Sequence, residues 1–328
     1  MTATTSTVTA EDAIAEAVSR VRNWGRWGPD DALGTVNFID EAKRVEAAAL
    51  VRRGISISLS QSFDMAGPQN GWRRRTNPVH TMLDSGTDAA CGAQDFPHGL
   101  GGADDVIAMP LQCSTQWDGL GHIFDHGLAW NGRPCEEVVT GAGDAVTGIE
   151  RLASPLVSRG VLLDVGRALG ATLGSPRELP DGFAITEEHL AATIAAQGPT
   201  AEVRRGDIVL VRTGRLARAN REGWGDYAGG ASPGLSFHTA GWLHRTEIAA
   251  VATDTWGFEV RPNEFPVAFQ PLHQVVIPNM GLLIGEMWDL EELAVECAAD
   301  GSYEFLLTAA PLKVTGAVGA PLNPIAVK

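Results

Sequence analysis

The sequence predicts an α/β protein, a mixed sheet with helices between its strands, and three observations carry that expectation. First, apolar runs of strand length occur at 160–165, 207–212, 249–253, 281–285 and 303–307, with helical patterns at 186–197, 236–247 and 289–298 between several of them. Second, 328 residues that are 44% hydrophobic and only 20% charged supply a sizeable core, which argues against disorder. Third, no internal repeat and no low-complexity linker divides the chain. One domain over residues 55–328, preceded by an N-terminal helical extension over 1–54, is therefore expected.

The elements follow in order. In residues 11–22, Ala13, Ile14, Ala17, Val18 and Val21 share one helical face. A Gly- and Trp-rich stretch follows, and Asp40 then reads as the N-cap of a helix ending at Gly54. Ile55, Ile57 and Leu59 alternate with serines, as in a half-buried strand. From about 62 to 105 the chain is polar and rich in Gly, Asn and Asp. A connection of that length in an enzyme is often a lid or a binding loop.

Forty acidic side chains against 25 basic ones give a formal charge of -15. Such a surface repels phosphate backbones, so no nucleic-acid partner is expected. Cys91, Cys113, Cys135 and Cys297 form no C-x-x-C pair and read as free thiols in a reducing compartment. The Thr-rich start resembles no signal peptide, and no run approaches the roughly 20 apolar residues of a membrane span. A cytoplasmic protein without a membrane partner is expected.

Chemistry concentrates in two places. Gln112-Cys-Ser-Thr-Gln-Trp-Asp-Gly-Leu-Gly-His-Ile-Phe-Asp-His126 packs Asp118, His122, Asp125 and His126 into nine positions. Carboxylate and imidazole together suit Zn²⁺, Mn²⁺ or Fe²⁺. The spacing Asp118-x-x-x-His122 converges either on a helical turn or across a Gly-rich one. An Asp paired with a His in a satisfied loop is the plainer reading of the same residues. The second place is His273-Gln-Val-Val-Ile-Pro-Asn-Met-Gly-Leu-Leu-Ile-Gly-Glu286. A carboxylate straight after an apolar strand is expensive to bury unless it is paired or metal-bound. Alternatively, Glu286 merely caps the element that begins near Trp288.

These segments, in this order, resemble the metal signature of the cyclase family, the group that includes bacterial kynurenine formamidase and isatin hydrolase. The family motif H-x-G-T-H-x-D-x-x-x-H places its Asp on Asp118 and its last His on His122, with the later His and Glu on His273 and Glu286. Asp31-Ala-Leu-Gly-Thr-Val-Asn37, Gly206-Asp-Ile-Val-Leu-Val-Arg-Thr-Gly214, Pro233-Gly-Leu-Ser236 and the tail 316–324 are also family-like. The similarity spans most of the chain from about residue 24. It implies the swivelling β/β/α fold, a small-molecule substrate and a homodimer or homotetramer.

The chain departs from the motif where Gln112 and Gln116 replace its first two histidines. Amides are poorer zinc ligands than imidazoles. One divalent ion, Mn²⁺ or Zn²⁺, held by Asp118, His122, His273 and Glu286 is therefore expected, with the second family site weak or absent. Gln112 and Gln116 then orient water or substrate.

Other residues carry two readings each. His126 is a base beside the metal or a loop residue facing solvent. His80 belongs to a loop that closes over substrate or to plain polar surface. Trp72-Arg-Arg-Arg75 grips a substrate carboxylate or is a solvated turn in which at least two of the three arginines do nothing. Trp27, Trp117, Trp256 and Phe258 wall a pocket for a flat ring or fill the core.

The resemblance implies hydrolysis of an amide C–N bond, in a cyclic or aryl-amide substrate, by metal-bound water, with His122, His126 and Gln116 as candidate catalytic groups. Gln112, Trp117, His80 and Trp256 are the candidate substrate contacts. No G-x-S-x-G elbow is present, which argues against a triad hydrolase. A lactone or ester hydrolase, a cyclase or dehydratase on the same scaffold, and a non-catalytic binding relative are the rival readings.

Overall fold

The computed structural model describes residues 9–328; the Thr-rich start over 1–8 lies outside the described residues. Nine strands build one sheet: β1 Ser56–Ser58, β2 Gln116–Asp118, β3 Val157–Asp164, β4 Ile208–Arg212, β5 Ala250–Thr253, β6 Leu283–Glu286, β7 Glu304–Thr308, β8 Gly319–Pro321 and β9 Ile325–Val327. Their spatial order is β1-β9-β7-β3-β4-β5-β6-β2-β8. β3, β4, β5 and β6 run parallel. Every outer pairing is antiparallel.

The parallel centre explains why its strands were visible as unbroken apolar runs. Covered on both faces, Ile208, Val209, Leu210 and Val211 are all fully buried, as are Ala250, Val251 and Ala252. Helices cover them: α1 Ala10–Val21, α2 Glu41–Ala48, α3 Glu187–Gln197, α4 Arg215–Glu222, α5 Ala240–Arg245, α6 Pro271–Val275 and α7 Glu291–Asp300. Among the described residues, no helix is long and apolar enough to cross a membrane.

Capping sets several of these starts. Thr9 and Asp12 form a reciprocal capping box on α1, which buries Ile14, Val18 and Val21 against α5 and α6. Asp40 caps α2 by accepting from the Lys43 amide at 2.7 Å. That helix stops at Ala48 rather than at Gly54: the Leu50 and Val51 amides close it back onto Ala47 and Ala48 at 3.1 and 3.3 Å, and the Arg53 and Ile55 amides beyond bond the Lys328 carbonyl at 3.1 and 3.2 Å. The expected long loop is also partly ordered. Val79–Asp84 and Asp104–Ala108 pair as an antiparallel hairpin whose residues are exposed throughout.

One family-like segment has a structural role. Asp31 accepts from the Gly34 amide at 2.8 Å and from Asn37 Nδ2 at 2.6 Å, folding the 31–37 stretch on itself. Thr35 then donates its amide to the Gly281 carbonyl at 2.8 Å. Gly34 has a φ of 57°, and a Cβ there would lie 2.1 Å from the Gly281 oxygen, so only glycine fits. This clamp fixes the turn that feeds β6, and hence the position of Glu286.

Candidate metal centre

β2 and β6 are antiparallel neighbours in a register that sets Gln116 opposite Glu286 and Asp118 opposite Ile284. Strand alternation puts Gln116, Asp118 and Glu286 on one face of the sheet. α6 and the π-helical turn Val276–Met280 after it carry His273 to the same place. One ligand atom each from Asp118, His273 and Glu286 lie within 4.8 Å of one another, and all three residues are buried.

Two buried atoms here lack a hydrogen-bond partner among the described residues: Asp118 Oδ1 and Gln116 Oε1. A carboxylate oxygen sealed from water without a donor costs several kcal/mol unless a cation meets it. Glu286 aggravates the imbalance, since burial and then the charge of Asp118 raise its proton affinity above that of an ordinary carboxylate. Two carboxylates and an imbalance of acceptors over donors are the donor set that fits a divalent ion.

His273 is held from behind. Glu259 accepts from its Nδ1 at 2.5 Å and from the His273 and Leu272 backbone amides at 3.0 and 3.1 Å. That contact leaves Nε2 facing the site, 3.1 Å from Glu286 Oε1. Burial alone would depress the imidazole, but the hydrogen bonds and charges of Glu259 and Glu286 outweigh it and push it up to about 10. A cation held by His273 and Glu286 would compete directly with that proton. Glu259→Gln, a near-isostere without the charge, is expected to weaken metal binding roughly 10- to 100-fold. Metal titration of the folded variant checks this; unchanged affinity would show that Glu259 only ties down the start of α6.

His122 approaches on a turn. The His122 amide donates to the Gly119 carbonyl at 3.0 Å, and Gly119 in turn donates to Val318 at 2.8 Å. Backbone lies 2.9 Å from where a Gly119 Cβ would sit, so the convergence is across a Gly-rich turn and not along a helix. His122 Nε2 stands 3.8 Å from Asp118 Oδ1. Burial lowers its pKa, which keeps the ring neutral, the form that a ligand or a proton acceptor requires.

The model of the Cyclase family, described as "Putative cyclase", matches residues 31–260. The chain belongs to this family. A solved structure described as a novel cyclase is 39% identical with a TM-score of 0.84, over 94% of this chain and all of that one. Isatin hydrolase A from Labrenzia aggregata is 19% identical at a TM-score of 0.58, over 85% of this chain and 94% of that one. A "predicted metal-dependent hydrolase" from Bacillus stearothermophilus is 17% identical at a TM-score of 0.52, over 84% and 98%. At those identities the last two share the fold. Among curated proteins, none matches the chain.

Within this cyclase-family fold the remaining candidates separate. Gln116 reaches Glu286 Oε2 through its Nε2 at 3.0 Å. Gln112 lies against Gly319, whose strand register places it beside Asp118. Trp256 is buried, and it lines a narrow cavity with Gly257, Glu259, Gln270 and Phe269, next to His273. Gln270 Nε2 is 3.3 Å from His273 Nε2.

Three expectations are corrected. Trp117 sits on the opposite face of β2, fully buried against Trp288 and donating to the Ala309 carbonyl at 2.8 Å, so it is core and not a substrate contact. The His126 side chain is 68% exposed and tied to Asp125 at 2.8 Å, which removes it from the catalytic candidates. His80 stands on the exposed hairpin, paired with Asp105 at 2.8 Å, and the chain does not bring it to the buried group. Glu259 was missed altogether. Its only local signal is an acid close after Trp256, and its partner His273 lies 14 residues on.

Proposed function

We propose that the chain is a metal-dependent hydrolase that cleaves an amide C–N bond in a small cyclic or aryl-amide substrate. One observation carries the reading: the buried Asp118, His273 and Glu286 set, with an Asp118 oxygen that finds no donor among the described residues. Relatives of the same fold named isatin hydrolase and metal-dependent hydrolase support it.

Asp118, His273 and Glu286 would hold the ion, with His122 either completing the set or standing beside it. Bound there, a divalent ion, Mn²⁺ or Zn²⁺, supplies an activated water at neutral pH and polarises the scissile carbonyl. Standing beside the ion, His122, kept neutral by the burial that lowers its pKa, would take a proton from that water at Nε2 and return it to the leaving nitrogen. The unpartnered Gln116 Oε1 accepts a hydrogen bond from water or from a substrate N–H. Trp256 would supply a flat wall in the cavity that Glu259 and Gln270, the neighbours of His273, also line.

Metal analysis of the purified protein, joined to a hydrolysis screen over formanilides, cyclic imides and lactones, tests the proposal. About one ion per chain is expected, with activity lost on chelation and restored by Mn²⁺ or Zn²⁺ added separately. Full turnover in rigorously chelated protein would end this mechanism. Turnover confined to lactones would move the reaction to ester chemistry on the same residues.

A further inference from the structure

Three arginines run together in Trp72-Arg-Arg-Arg75, and the fold treats them differently. Arg73 and Arg74 are exposed, whereas Arg75 is 8% exposed. Its guanidinium carbon lies 5.0 Å from the centre of the Trp256 ring, the aromatic wall of the cavity beside His273. Its charge acts at Cys113, His122 and Glu286 together, so it sits within electrostatic reach of the metal group.

The other buried arginines set the standard for this fold. Arg159 is bonded to Asp207 at 2.5 Å and Glu304 at 2.7 Å. Arg212 is bonded to Asp164 at 2.7 Å and Glu291 at 2.6 Å. Arg215 is bonded to Asp226 at 2.9 Å. Arg75 alone among them has no acceptor within hydrogen-bond distance among the described residues, only the face of an indole. A guanidinium so enclosed and without a protein acceptor is costly, and balancing the charge of the metal group would require no such isolation. Its fork is free for a planar, bidentate acceptor.

We propose that Arg75 is a specificity-determining residue that binds a carboxylate on the substrate, so that the enzyme selects aromatic amides bearing an anionic carboxyl group. The proposal rests on the hydrolase reading for its word substrate, but the binding it asserts is separable from turnover. The aromatic surface fits the same ligand, since Trp72 packs at a tilt against Trp256, 4.9 Å between ring centres, and Phe269 adjoins Trp72 at 5.7 Å. The carboxylate would take the guanidinium fork, and the ring attached to it would lie along Trp256.

Benzoate and benzamide, which differ only in charge and in one heteroatom, are the probes. Their binding is followed by calorimetry and by tryptophan fluorescence in wild type, Arg75→Met, Arg75→Lys and Arg74→Met, with and without chelator. Wild type is expected to prefer benzoate roughly 10- to 100-fold, the range of a charge-assisted hydrogen-bonded pair. Arg75→Met should erase the preference, Arg75→Lys should keep a fraction of it, and exposed Arg74→Met should keep it whole. Chelation separates the two cations: a preference that survives chelation belongs to Arg75, and one that vanishes with the ion overturns the proposal. Equal binding of the two probes by wild type overturns it as well. If Arg75→Met does not fold, Arg75→Lys decides, because a full benzoate preference without the fork contradicts the proposal. None of these outcomes depends on hydrolysis, so failure of the hydrolase reading would show separately.

Discussion

Replacing Glu286 by glutamine is expected to strip the bound ion, and the activity with it, from a protein that stays folded. Glu286 is enclosed by Gln116 Nε2 at 3.0 Å, His273 Nε2 at 3.1 Å and the Phe258 amide at 3.3 Å. Burial and the neighbouring Asp118 raise its proton affinity, so without a cation this carboxylate is a cost to the fold. Glutamine keeps the shape and one oxygen acceptor but brings no charge to the ion. Even partners behind the ligands are worth 10- to 100-fold in metal affinity, so loss of a ligand charge should exceed about 100-fold. In chelator, the thermal midpoint should stay within a few degrees of wild type, or rise.

The competing view was that Glu286 caps the following helix. The structure assigns that end of α7 differently, with Leu290 at the N-cap and Asp289 Oδ1 accepting from the Glu291 amide at 3.3 Å. Metal stoichiometry measured beside the thermal midpoint decides between the two. Retained metal with a lowered midpoint would return Glu286 to a structural role.

What the sequence revealed follows from how local each signal is. β4 and β5 were legible because full burial on both faces demands unbroken apolar runs, α1 because its apolar residues share one helical face, and α2 because its cap, Asp40, lies next to it. The end of α2 was not, since the stretch beyond it to Gly54 is held by the Lys328 carbonyl from the far end of the chain. Glu286 stood out because a carboxylate straight after an apolar run is costly to bury, and Asp118 because it is packed close to His122, Asp125 and His126. Glu259 did not, because an acid after Phe258 looks like any surface acid until α6 settles over it. Arg75 was one of three indistinguishable arginines, and only tertiary burial separates it from Arg73 and Arg74. Trp117 was readable in principle. Once 116–118 is a strand, alternation sends its ring away from the side chains of Gln116 and Asp118.

The departure from the family motif yields the last prediction. Gln112 and Gln116 stand where the family motif has imidazoles, and the structure keeps both amides beside Asp118. Gln116 flanks it on the same face of β2, and Gln112 lies on Gly319, the register partner of Asp118. Asp118 Oδ1 has no donor of its own, so one of its oxygens is available to a second ion as well as to the first. Wild type is therefore expected to carry about one metal per chain. The double substitution Gln112→His and Gln116→His places two nitrogen donors beside a carboxylate able to bridge, and nitrogen donors bind zinc far better than amide oxygens do. The double variant should bind close to two ions per chain, while wild-type turnover saturates with one. Elemental analysis after dialysis against limiting metal reads both numbers. Because Gln116 also donates to Glu286, the first ion should loosen slightly in the variant, a shift visible in a competition titration. Two tightly held ions in wild type, one of them on the glutamine oxygens, would overturn this reading.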